Sequence, residues 1–338
     1  MKKILCFVLA AAGLFMLIRT TAFSPERWPL PLAIGSGELL PVTIQPGMNA
    51  RRAAEEFVEA GIVEKGRGAA FARWMVRFSI DRRLRPGVYH VRKGSPWEVA
   101  RQMKTAEPGF LSMALVPGTD IYSFGALFPE KSLSGKNLEK LLEDEILYPS
   151  EMRSLLPETT EGRLAFLLPE TYHLAFLNER ELVAAAAALW WRRIGSSIPP
   201  ERRNKETFEE FAILASLVER EGFRDDERPR IAGVLFNRME KGMQLQIDAT
   251  VVYAWRRKGR DITRVLFKDL EIDSPYNTYK IQGLPPAPIC TSSEISWNAV
   301  LNPERHDYLY YVAQSDGYHL FAETYAEHQK NIVKARSK

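Results

Sequence analysis

Two lysines followed by an unbroken apolar run open this chain, and they limit what its first segment can become. Lys2 and Lys3 precede Ile4 to Ile18 without an intervening charge, and Arg19 then interrupts the run. A helix over that core alone spans about 22 Å, short of the ~30 Å hydrocarbon layer of a bilayer. With Arg19 snorkelling and the helix continued to Phe23, the length reaches about 30 Å, which suffices. A buried core helix directly behind two N-terminal lysines fits this pattern poorly. Two readings stay open. One is an uncleaved anchor over residues 1–23, which we favour. The other is a secretory signal cut after Ala22, since Thr20 and Ala22 are small. Both leave the lysines inside and carry the remaining chain outside the cytoplasm.

The rest has globular composition, with 46% hydrophobic and 26% charged residues over 338 positions, enough for two domains or slightly more. Against 42 acidic residues stand 46 Lys and Arg, a net charge of +4, too weak to argue for nucleic acid. Cys6 lies in the apolar run, so pairing with Cys290 is implausible, and no CxxC pattern exists. The five histidines lack the spacing of a zinc helix motif, so neither a metal nor a cofactor is expected.

Residues 24–41 read as a linker, with Pro25, Pro29, Pro31, Pro41, Gly35 and Gly37 and no sustained apolar period. Residues 42–110 form a small βα module with a weak internal repeat. Val42 to Gly47 reads as strand and turn, with Ala53, Ala54, Phe57 and Val58 following at helical spacing. Tyr89 to Gly94 repeats it, followed by Val99, Ala100 and Met103, and Ala69 to Phe78 adds a helix between the copies. This module resembles the LysM-like unit of wall-binding proteins; a packing unit with no ligand is the alternative.

Residues 111–338 would be a mixed α/β catalytic domain, so the fold class is α+β. Met113 to Val116 reads as a strand, Leu182 to Trp191 as a helix closed by Arg192 and Arg193. Trp190 and Trp191 could touch sugar, though packing between domains suits them better. Phe208 to Val218 is a dense apolar helix stopped by Gly222; Ile231 to Met239 and a segment from Asp248 to Trp255 are further helices, and Tyr308 to Val312 is a strand.

Glu219 and Glu221 end the dense helix two residues apart, so they point to different sides. Glu219 stands over Ala212, Ala215 and Ser216, small side chains that leave room for a ligand; Glu221 stands over Leu214 and Leu217 and reads as a solvated charge. Gln246, Asp248 and Thr250 alternate, and if extended would offer an amide, a carboxylate and a hydroxyl on one face. Capping of the next helix by Asp248 or Thr250 is the competing reading. Tyr276 and Tyr279, and the prolines at 275, 285, 286 and 288, suit either a rigid sugar-binding wall or a structural loop.

Taken in order, Leu214-Ala-Ser-Leu-Val-Glu-Arg-Glu221, Val234-Leu-Phe-Asn-Arg238, Leu245-Gln-Ile-Asp-Ala-Thr-Val-Val-Tyr253, Ser274-Pro-Tyr-Asn-Thr-Tyr279, Gly283-Leu-Pro-Pro286, Tyr308-Leu-Tyr-Tyr-Val312 and Gly317-Tyr-His-Leu-Phe321 resemble the YceG-like (MltG-type) endolytic murein transglycosylases. The resemblance implies Glu219 as the catalytic acid/base and Asn237, Gln246, Asp248, Tyr276, Asn277 and Thr278 around the cleft. It also implies a single-pass protein of the inner membrane that acts on peptidoglycan glycan strands beside membrane-bound glycan synthases and terminates strand elongation. One departure stands out. The family's Glu-Gly pair falls here on Leu164-Ala165, ahead of Phe166-Leu-Leu-Pro-Glu-Thr-Tyr172, while Glu161-Gly162 sits three residues early. Glu161 therefore receives no role.

The implied reaction cleaves the MurNAc–GlcNAc bond without water. One carboxyl protonates the leaving oxygen and then takes the proton of the MurNAc 6-hydroxyl. At neutral pH the acid role needs a glutamate raised about two units above its reference of about 4.3, by desolvation. Two rivals remain: a two-carboxylate hydrolase with Asp248 as the second group, and a non-enzymatic wall-binding scaffold.

Overall fold

The computed structural model describes residues 38–128, 136–174 and 179–337. The expected anchor and nearly all of the expected linker lie outside these residues. Among the described residues no helix is long and apolar enough to cross a membrane. The chain divides into two compact units, one ending at Gly109 and one beginning at Phe110.

The first unit pairs β1 (Leu39–Ile44) antiparallel with β2 (Gly87–Arg92), and between them run α1 (Ala50–Glu59) and α2 (Gly68–Arg77). Helix α3 (Pro96–Met103) follows β2. The last residues of the expected linker belong to β1, where Pro41 pairs with His90. A two-stranded sheet is all edge, so a proline costs it little. Asn49 starts α1 by accepting from the backbone N–H groups of Arg51 and Arg52, at 3.1 and 3.0 Å. Ser95 and Glu98 form a reciprocal capping box at α3. The apolar positions of the two repeat copies converge on one core of Val42, Ile44, Ala53, Ala54, Phe57, Phe71, Tyr89, Val91, Val99 and Met103.

The second unit is mostly helical and carries two further small antiparallel sheets. Strand β3 (Leu111–Leu115) pairs with β4 (Glu170–Leu174). Between them lie α4 (Lys136–Glu143) and the short α5 (Thr160–Leu164), and α6 (Glu179–Arg193) follows. Helices α7 (Lys205–Glu221), α8 (Arg228–Glu240), α9 (Asp248–Arg257) and α10 (Glu294–Leu301) come next, then the hairpin β5 (Tyr310–Ala313) and β6 (His319–Ala322), and α11 (Tyr325–Arg336).

Helix α7 is buried at Phe208 and from Phe211 through Val218. An apolar surface on all sides forces it into the middle of its unit, and α8, α9 and α10 all pack against it. Trp190 belongs to this core and not to a surface between domains. Its ring lies 4.7 Å from that of Phe166 and 5.1 Å from that of Trp297, and it is fully buried.

Candidate active site

At the end of α7, Glu219 and Glu221 enter opposite environments. With about 100° per residue they stand about 200° apart around the helix. Glu219 points into a closed network. One oxygen, Oε2, accepts from the Ser293 backbone N–H at 2.8 Å, the Ser293 hydroxyl at 2.6 Å and the Arg228 guanidinium at 2.8 Å. The two side chains of the ion pair are only 6% and 10% exposed. Arg228 also donates to the Ser293 and Ser296 hydroxyls and reaches Asp225 at 3.1 Å. Burial pushes the Glu219 carboxyl up, but the Ser293 hydroxyl and N–H and the Arg228 cation outweigh it, and the net shift is downward.

The expected upward shift of Glu219 is thus reversed. The small residues beneath it do leave room, but protein fills it. The fully buried Ser216 accepts from the Ile289 N–H at 3.1 Å, and Cys290 Sγ lies 3.6 Å from the Ser216 carbonyl. Small side chains on this face let the segment from Ala287 to Ser293 approach α7 closely. A charged carboxylate with three donors on one oxygen is poorly suited to deliver a proton from that oxygen.

Glu221 points the other way, toward the β5–β6 hairpin, and is partly exposed. Its Oε2 accepts the Tyr311 hydroxyl at 2.9 Å. Burial pushes its pKa up and outweighs the Tyr311 hydroxyl; Asp248 adds to the rise, while His319 and Arg238 oppose it. The net shift is upward, toward the protonated form. Asp248 itself is exposed and accepts the Tyr279 hydroxyl at 2.6 Å. Burial, followed by the Asp248 hydrogen bond, raises the Tyr279 phenol.

Several elements converge to build this group. Asn237 on α8 donates to the carbonyls of His306 and Tyr308 at 2.7 and 3.0 Å, fixing the entry to β5. Its neighbour Arg238 donates to the Leu309 carbonyl at 2.6 Å and the Leu245 carbonyl at 2.7 Å, tying β5 to the loop before α9. On β6, His319 Nδ1 lies 2.9 Å from the buried Glu227 carboxylate, and its ring meets Tyr311 edge-on at 5.4 Å. The hairpin register sets Tyr311 opposite Phe321 and Ala313 opposite His319, so Tyr311, His319 and Phe321 share a face.

The other expected site residues divide by role. Gln246 and Asp248 are exposed, but the segment is not extended. Gln246 sits at φ +49°, a left-handed backbone costly for a side chain, and α9 begins at Asp248. Thr250 is fully buried, donating to the Ile247 carbonyl at 2.7 Å, and neither Asp248 nor Thr250 caps the helix through its side chain. Thr278 does the anchoring: its Oγ1 accepts from the Ile247 N–H at 2.9 Å, and its carbonyl accepts from the Gln246 N–H at 3.1 Å. Asn277 is likewise fully buried and donates to the carbonyls of Leu270 and Ile272 at 2.8 and 2.9 Å. Asn237, Asn277 and Thr278 therefore spend their polar atoms on the backbone that shapes the site.

Tyr276 belongs to a different group. It is buried beside Tyr253 and under the Arg257 guanidinium, which pairs with Glu161. Burial, with Glu161 adding, pushes its phenol up to about 12. Glu161 is thus the partner of Arg257 and stands with Tyr276.

The model of the YceG-like family matches residues 42–334. The chain belongs to the YceG-like family. A relative from Bacillus subtilis (strain 168) named endolytic murein transglycosylase is 30% identical over 273 residues, covering 76% of this chain and 75% of the relative. One of the same name from Streptococcus pneumoniae (serotype 2, strain D39) is 26% identical over 331 residues. That match takes in 90% of this chain but spans only 60% of the pneumococcal protein. The crystal structure of a YceG-like protein from Listeria monocytogenes superposes with a TM-score of 0.54 at 26% identity, covering 87% of this chain and 99% of that one.

Proposed function

We propose that this chain is a lytic transglycosylase of murein and that Glu221, not Glu219, is its acid/base. The observation that carries the assignment is the contrast at the end of α7. Glu221 is the carboxyl whose surroundings favour a bound proton, while those of Glu219 favour the charged form. The names of the Bacillus and pneumococcal relatives support the reaction class.

In the reaction, the Glu221 proton passes to the oxygen bridging MurNAc C1 and GlcNAc C4 as the C1–O bond breaks. GlcNAc leaves with a free 4-hydroxyl. The carboxylate then removes the proton of the MurNAc 6-hydroxyl, whose oxygen bonds to C1 and closes a 1,6-anhydro ring. Atoms balance without water, and Glu221 ends protonated as it began. Tyr311 holds Oε2 and leaves Oε1 to exchange the proton. The Asp248 carboxylate raises Glu221 and offers negative charge to the oxocarbenium-like centre that develops at C1. Proton transfer of this kind contributes about 10²- to 10⁴-fold.

The nearness of Asp248 also favours one rival, a hydrolase that uses both carboxylates. Mass spectrometry of digested, uncrosslinked strands separates the two: anhydro-MurNAc ends support the transglycosylase, reducing MurNAc ends the hydrolase. The N-terminal run would tether the chain to the inner membrane, where its first unit, the LysM-like module, would hold strands emerging from membrane-bound synthases. A reporter fused after Lys338 should be active only outside the cytoplasm; activity of a cytoplasmic reporter there would end the anchor reading.

A further inference from the structure

Directly after Glu221 the chain makes a tight turn that the proton chemistry does not use. Gly222 ends α7, and a Cβ on it would stand 2.6 Å from Arg228 Cγ. The turn throws Phe223 outward, 77% exposed. A single exposed phenylalanine needs no explanation on most surfaces, but this one is held. Its ring lies against Gly317, at the tip of the β5–β6 hairpin, where φ is +83° and an added Cβ would come within 2.6 Å of Phe223 Cδ1. The Arg224 guanidinium stands 5.7 Å from the Phe223 ring centre and 4.8 Å from that of Tyr318, itself 38% exposed. Arg224 is fixed in turn by donating to the Asp316 carbonyl at 2.6 Å. The result is an aromatic–guanidinium–aromatic ladder facing water. It is continuous with the site, because the hairpin that carries Gly317 and Tyr318 also delivers Tyr311 and His319 beside Glu221.

We propose that Phe223 and Tyr318 form a platform on which a pyranose ring of the glycan strand stacks, at a subsite removed from the bond being cut. The inference rests on the reading of Glu221 as the acid/base. A hexopyranose presents C–H groups on its faces and hydroxyls at its edge. A rigid, exposed ring buries the former while the latter stay in water, and a guanidinium held between two rings stiffens the surface. A protein or lipid partner would also cover an apolar ring, but neither explains why the platform continues the wall that holds Glu221.

The test is made in the full chain. Glu221→Gln is used as a binding-competent background, so that binding is measured apart from turnover. In that background Phe223→Ala should weaken binding of uncrosslinked glycan strands roughly tenfold, and Phe223→Trp should restore it. With Glu221 intact, Phe223→Ala should raise KM for long strands by a similar factor and leave kcat within roughly twofold. Tyr318→Ala should act in the same direction. Unchanged strand affinity in both alanine variants would overturn the platform. So would a fall in kcat at constant affinity, which would assign the turn to the chemistry. If Glu221→Gln is itself fully active, the acid/base reading fails, and the KM and kcat of Phe223→Ala with Glu221 intact still decide the platform.

Discussion

Replacing Glu219 by Gln tests its hydrogen-bonded ion-pair network most sharply, because the proposal gives Glu219 a stabilising role. Gln keeps the size and one acceptor. It loses the charge that offsets Arg228 and presents an NH₂ where three donors converge on one oxygen. Breaking a buried ion pair by removing one partner typically costs about 3–5 kcal/mol. Asp225, 62% exposed and 3.1 Å from Arg228, remains to offset part of the charge, which sets the low end at about 3 kcal/mol. For a domain of this size that is a fall in Tm of roughly 6–12 °C. The loss also reaches α10, since Ser293 is both the donor to Glu219 and the N-cap of that helix. The pH dependence has a definite sign. The Glu219 carboxyl is depressed in the folded state, so its contribution is present above the unfolded value and lost as pH falls through the folded one. Urea unfolding of wild type and variant should therefore show a gap of about 3 kcal/mol at pH 7 that narrows in acid. Equal stability at pH 7, or a gap that persists unchanged in acid, would refute the reasoning.

Further outcomes concern the Glu221 side. Because the Glu221 carboxyl is raised, kcat/KM should fall as pH rises through its folded-state pKa, above the ordinary glutamate value. Tyr311→Phe removes a hydrogen bond that favours the carboxylate and should move this alkaline limb to higher pH, while Asp248→Asn removes a repulsive charge and should move it lower; pH–rate profiles of both read the shifts. Thr278→Val leaves the buried Ile247 N–H without its acceptor and should cost about 1–3 kcal/mol by urea unfolding. It should also lower activity by releasing the loop that starts α9.

Much of the helical layout was legible because α7, α8 and α9 carry dense apolar periodicity with glycine or proline stops. The order of motifs pointed to the family, and Asp248 and Gln246 are exposed. The surroundings of the two glutamates were not legible. A helix wheel locates small side chains but cannot say whether a ligand or another backbone fills the space above them. Here Ile289 and Cys290 fill it, from about 70 residues along the chain. The surroundings of Glu221 are equally non-local. Tyr311 approaches from 90 residues away, placed by the hairpin register and by Asn237 and Arg238 gripping the backbone ahead of it. The alternation Gln246–Asp248–Thr250 suggested a strand face, but the left-handed Gln246 and the helix starting at Asp248 break it. Asn277 and Thr278 looked like ligand-binding polar groups, and only their burial reveals that they hold the loop.

The most direct test of the central claim is to assay Glu221→Gln and Glu219→Gln side by side, after confirming by circular dichroism that each is folded at the assay temperature. The measured quantity is release of 1,6-anhydro-ended fragments from uncrosslinked glycan strands. Glu221→Gln should keep its fold and lose at least about 10²-fold in kcat, since it can neither give nor take the proton. Glu219→Gln should be less stable but retain most of its turnover while folded. Abolished release in a folded Glu219→Gln protein, together with near-normal release by Glu221→Gln, would contradict the assignment and return the proton to Glu219.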